Sequence, residues 1–123
     1  MLENLDGKQY DYLPHQDQYN ARLSRLRSDL ADEMMQLIYG YCDRSDEVTS
    51  EHLFGVRGFS ERHRDMVGAL GVEEEANMLI GQMLWEALRE RPEVWTFVRP
   101  VGDGDGIPSG MQYWRKRDDT PPF

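Results

Sequence analysis

The sequence predicts an α+β fold, mostly α, built from about four helices with a C-terminal β-hairpin lying on the bundle. Three observations carry this. Apolar residues recur at helical spacing from Tyr19 to Tyr41. Two more amphipathic segments, one capped by Ser60 and one opening on Glu73, meet at Gly71, and Pro92 stops the second. Beyond Pro92 the chain turns to β-branched and aromatic runs around a glycine-rich stretch.

Residues 1–16 hold few core-forming positions and are interrupted by Pro14, so they read as an N-terminal arm from which Tyr10, Tyr12 and Leu13 can dock. Asp17 is a good N-cap for a long helix over 17–42. Its stripe is Tyr19, Leu23, Leu26, Leu30, Met34, Leu37 and Tyr41, at a mean step near the 3.6-residue period. The stripe repeats every eleven residues, whereas a left-handed coiled coil needs seven, which favours packing on its own domain. A homodimer seam along the 17–42 helix is the alternative. Val48, Leu53 and Phe54 suggest a short helix begun by Ser45 or Asp46. Ser60 then reads as the N-cap of a third helix, with Phe59 stapled onto its first turn. Met66, Val67 and Leu70 form its buried side, and Gly71 is a left-handed stop.

The fourth helix opens on Glu73, Glu74 and Glu75, acids at a positive helix end worth ~0.3–1 kcal/mol each. Ala76, Leu79, Ile80, Met83, Leu84, Ala87 and Leu88 form its core side. Val94-Trp95-Thr96-Phe97-Val98 is a strand signal, and residues 111–116 read as its partner across a turn-rich loop. The expected organisation is an arm over 1–16, one domain over 17–117 and a tail over 118–123.

The chain has 123 residues, enough for one domain with a real core. Its formal charge is −9, which argues against a general polyphosphate binder, since such a protein recruits its ligand with a positive field. The excess of acid sits in residues 1–20 and 71–95. It reads first as a solubilising surface; on a rigid domain the same carboxylates would imitate a phosphate array. One cysteine, Cys42, permits neither an intrachain disulfide nor a cysteine-based zinc cluster. The N-terminal residues lack the basic and apolar regions of a secretory signal, and no apolar run approaches the ~20 residues that span a bilayer. The expected location is therefore cytoplasmic, with no membrane partner.

No enzyme is expected and no cofactor or metal site is assigned. His15, His52 and His63 are scattered, and HExxH, P-loop, GxGxxG and nucleophile-elbow patterns are missing. Gly102-Asp103-Gly104-Asp105-Gly106 faintly resembles a calcium loop, but counting from Asp103 the fifth and twelfth ligand positions fall on Ile107 and Trp114.

The order helix, short helix, helix, turn, helix, hairpin, with the turn Val67-Gly68-Ala69-Leu70-Gly71-Val72, resembles the winged helix-turn-helix superfamily over roughly residues 59–117. That resemblance implies DNA contact through the last helix and the hairpin. The chain departs from the pattern at Val67, where the family carries a very small residue, and at Asn77, where it carries a branched aliphatic. Its reading helix would also begin with Glu73-Glu74-Glu75, which phosphates repel.

The expected function is a small acidic, non-enzymatic regulator that binds another macromolecule, chiefly a protein. A phage or mobile-element inhibitor or adaptor fits its size. The expected partner-binding residues are Glu73, Glu74 and Glu75, with an aromatic-basic hairpin of Trp95, Arg99, Trp114, Arg115, Lys116 and Arg117. The alternative is a winged-helix transcription regulator touching DNA through the basic hairpin, with Arg57, Arg62 and Arg64 as further contacts.

Overall fold

A computed structural model of the chain describes residues 1–98 and 111–116. Arg99, Arg117, the glycine-rich loop and the tail lie outside the described residues. The elements in chain order are β1 (Leu2–Asn4), β2 (Gln9–Tyr10), α1 (Gln16–Ser24), α2 (Ser28–Asp43), β3 (Glu47–Thr49), α3 (Ser50–Leu53), α4 (Phe59–Leu70), α5 (Glu73–Arg89), β4 (Trp95–Val98) and β5 (Gln112–Arg115). The fold is α+β and mostly helical, as expected, but among the described residues it holds five helices and a five-stranded mixed sheet.

The sheet runs in the order β2-β1-β4-β5-β3. β4 and β5 pair antiparallel, Trp95 opposite Arg115 and Phe97 opposite Tyr113. They do not stand alone: β1 lies parallel to β4 on one side and β3 antiparallel to β5 on the other. The expected arm thus supplies strands, and Leu2 is fully buried beside Trp95. The strands are two and three residues long, too short for an alternating pattern to stand out in the sequence. A parallel neighbour needs a crossover, and here the crossover contains all five helices of the described residues.

The register divides the sheet into two faces. Leu2, Trp95, Phe97, Tyr113 and Val48 share the buried face. On the other, Gln9, Glu3, Thr96, Trp114 and Glu47 form one row across all five strands.

The single helix expected over 17–42 is two helices. Arg27 is extended (ψ 145°), and Asp29 Oδ1 accepts from the Leu30 amide at 3.0 Å as the chain re-enters helix. The break leaves Arg25 free to donate from Nη2 to the Leu70 carbonyl at 2.7 Å, a cation on the negative end of α4. Leu26 and Leu30 are buried on either side of the corner, so the apolar spacing is the same with or without it. No side chain caps α1; His15 occupies its cap position with φ 59°, not Asp17.

Within α2 the buried positions are Leu30, Met34, Ile38 and Cys42, whereas Leu37 and Tyr41 are half-buried. α2 turns its apolar side onto α4 and α5. α3 starts after a strand rather than at Ser45 or Asp46, and Thr49 Oγ1 accepts from the His52 amide at 3.2 Å. α4 is bounded by Gly58 (φ 88°), where Ser60 was expected to cap, and by Gly71 (φ 91°). α5 is the hub, packed on α1, α2, α4 and β1. Leu79, Ile80, Met83, Leu84, Ala87 and Leu88 all face the core. No helix of the described residues is long and apolar enough to cross a membrane.

Candidate functional site

Three surfaces collect the residues that sequence reasoning singled out. The first is the corner where α4 gives way to α5. Glu73 and Glu74 are exposed and form no ion pair with any described residue. Glu75 differs: Arg22 Nε donates to its Oε2 at 2.6 Å, and Arg22 Nη1 donates to Gln82 Oε1 at 2.9 Å. The hydrogen bond from Arg22, and then its charge, hold the Glu75 carboxyl below its usual pKa. Arg22 itself is buried, so the third glutamate is part of the architecture. Val72 and Met78, 52% and 44% exposed, flank the two free carboxylates. Helical spacing puts Met78 four residues after Glu74 on the same side. Asn77 also has a job: its Oδ1 lies 2.8 Å from Nε2 of the buried His63 on α4. A branched aliphatic at that position would leave the imidazole without this partner.

The second surface is the expected aromatic-basic hairpin, and here the structure corrects the expectation. Trp95 is fully buried and cannot serve as an exposed anchor. The Arg115 guanidinium lies 4.9 Å from the centre of that ring. Arg115 also pairs with Glu93 at 2.7 Å and donates to the carbonyls of Cys42 and Ser45 at 2.8 and 3.1 Å. It fastens the start of β4 and the end of α2 to β5 and is not a free cation. Trp114 is half-buried on the opposite face, and Lys116 is exposed, 3.7 Å from Glu3. Arg99 and Arg117 are not among the described residues.

The third surface answers the Arg57, Arg62 and Arg64 expectation. These arginines do not form one patch of free charge. Arg62 is held by Glu33 at 2.6 Å and by Asp65 at 3.5 Å. Arg64 is exposed on α4. Arg57 lines a groove of about 640 Å³ between α2 and the α3–α4 connection, and Arg44, which sequence reading did not select, lines it too.

Cys42 is buried, and desolvation pushes its thiol up to about 12. No group of three or more histidine, cysteine or acidic side chains able to hold a metal occurs among the described residues. No protein-family model matches the chain, and no curated protein and no solved structure matches it.

Proposed function

We propose that the protein is a non-enzymatic regulator that works by binding a protein through the α4–α5 corner. The carrying observation is that Glu73 and Glu74 stand free beside exposed Val72 and Met78, while Arg115 is engaged inside the fold and Arg62 is paired with Glu33. Free carboxylates set encounter and orientation, and the apolar pair supplies contact area. The partner implied by this chemistry is a basic surface with an apolar depression. A phage or mobile-element inhibitor or adaptor remains the role that fits the chain's size.

The winged-helix alternative draws support from the α4–Gly71–α5 turn followed by the antiparallel β4–β5 pair. The chemistry on offer weighs against it. The leading helix presents carboxylates, Arg115 is engaged internally, and Arg62 is paired.

Affinity capture from the native host with wild-type protein and with E73K/E74K tests the reading. A partner retained by wild type at about 0.15 M salt and lost by the variant is the expected result. Binding of random duplex DNA whose affinity falls steeply with salt, and which E73K/E74K strengthens, would replace it with the winged-helix reading.

A further inference from the structure

A second site, apart from the α4–α5 corner, lies in the groove between the C-terminal half of α2 and the α3–α4 connection. Its charge is out of keeping with the rest of the chain. The net charge is −9, yet Arg44, Arg57 and His52 line the groove and no carboxylate does. The other arginines are spoken for. Arg22, Arg27, Arg62, Arg89, Arg91 and Arg115 each meet a carboxylate within 4 Å, and Arg25 caps α4. Of the described arginines, only the side chains of Arg44, Arg57 and Arg64 have neither ion pair nor hydrogen bond, and two of those three share this groove.

Arg44 is also placed there by the backbone. A Cβ built on Gly40 would come within 3.3 Å of Arg44 Nη1. The guanidinium therefore folds back one helical turn over a residue that has no side chain, so it stays against the groove. The wall beside it is apolar. Leu37 and Tyr41, which the hydrophobic stripe assigns to the core, are half-buried against it and with Val56 also line the groove. A volume of about 640 Å³ falls within the ~300–1,000 Å³ usual for small-molecule sites.

We infer that this groove binds a phosphate monoester. Arg44 and Arg57 would hold the dianion, and Tyr41, Leu37 and Val56 would receive the organic body. Two guanidiniums match a dianion better than a monoanion, and their planar forks suit phosphate oxygens. A long polyanion would meet the acidic body beyond the groove. A single phosphate sits within a Debye length, ~8 Å at physiological salt, of the two cations.

Phenyl phosphate titrated into the full chain, followed by calorimetry and amide chemical shifts, tests the inference. Saturable binding is expected, with shifts at Gly40, Arg44 and residues 55–57. R44A/R57A should weaken it about tenfold or more. G40A keeps every charge and favours helix, so it should remain folded. Its Cβ shifts Arg44 Nη1 by a few tenths of an ångström, so it should weaken binding about twofold, which a diffuse charge effect would not do. Adenosine monophosphate and phosphotyrosine run alongside separate a nucleotide from a phosphorylated side chain as the source. Saturable binding of either that R44A/R57A abolishes supports the site. Phenyl sulfate binding as tightly as phenyl phosphate would overturn the dianion assignment. No saturable binding up to about 10 mM, or shifts confined elsewhere, would overturn the site.

Discussion

Arg22 sits where the apolar pattern of α1 expects a neighbour of Leu23, and it is buried because two acceptors on α5 come to meet it. Removing the guanidinium leaves Gln82 Oε1 buried without its donor. Arg22→Met should therefore cost about 1–3 kcal/mol through Gln82 alone, read as a lowered urea midpoint. The Glu75 side of the pair adds a pH dependence. Its folded pKa is depressed, first by the hydrogen bond and then by the charge of Arg22. Its contribution is then fully present above the unfolded-state value and is lost as pH falls through the lower folded value. Thermal melts from pH 7 to pH 3 should show a smaller loss of Tm in Glu75→Gln than in wild type. An identical loss would remove Glu75 as a source of acid sensitivity. None of this was visible in the sequence: an arginine among leucines carries no sign of which face it turns. Asn77 is the contrasting case. It was marked as a misfit to the winged-helix pattern, and the misfit is the contact with His63.

At the scale of elements, legibility followed length. The junction of α4 and α5 was readable to the residue, because Gly71 and three successive acids mark it, while their outer ends lie about two residues from the expected Ser60 cap and Arg91 end. α4 is held between two left-handed glycines, and the two differ in surroundings. A Cβ at Gly58 meets nothing within 4 Å, while one at Gly71 lies 4.0 Å from Arg25 Nη2. Backbone strain is then the main cost at both positions. Gly58→Ala and Gly71→Ala should each destabilise by about 1–2 kcal/mol in urea unfolding. A near-zero effect at Gly58 would mean that the left-handed entry to α4 is dispensable. The α1–α2 break was hidden because Leu26 and Leu30 keep helical spacing through it. β1, β2 and β3 were hidden because two or three residues cannot display a period. In α2 the stripe was right through Met34 and then off by one residue. Leu37 and Tyr41 are as apolar as Ile38 and Cys42, and only the position of α4 and α5 chooses between them. That one-residue rotation creates the groove wall.

Across the whole molecule, the first residues of the chain complete the sheet that its last described residues begin. Trp95 donates its amide to the Met1 carbonyl at 2.8 Å, and Leu2 is fully buried against the same sheet. Deleting residues 1–12 should therefore abolish the cooperative urea transition followed by circular dichroism. An arm would leave its midpoint unchanged, and that outcome would take β1 out of the folding unit. The same closure explains why Trp95 and Arg115 are withdrawn from the expected basic surface. Flanked by β1 and β3, the ribbon has Trp95 and Arg115 turned into the molecule.

By itself, the sequence determined the class of fold and the two long C-terminal helices that meet at Gly71. Those features depend on residues close together in the chain, where spacing and capping chemistry act. Tertiary structure alone decided the order of the sheet, the pairing of Glu75 with Arg22, the withdrawal of Trp95 and Arg115, and the placing of Arg44 and Arg57 along one groove. Each of these joins segments distant in sequence, and which charge finds a partner depends on what the folded chain brings opposite it.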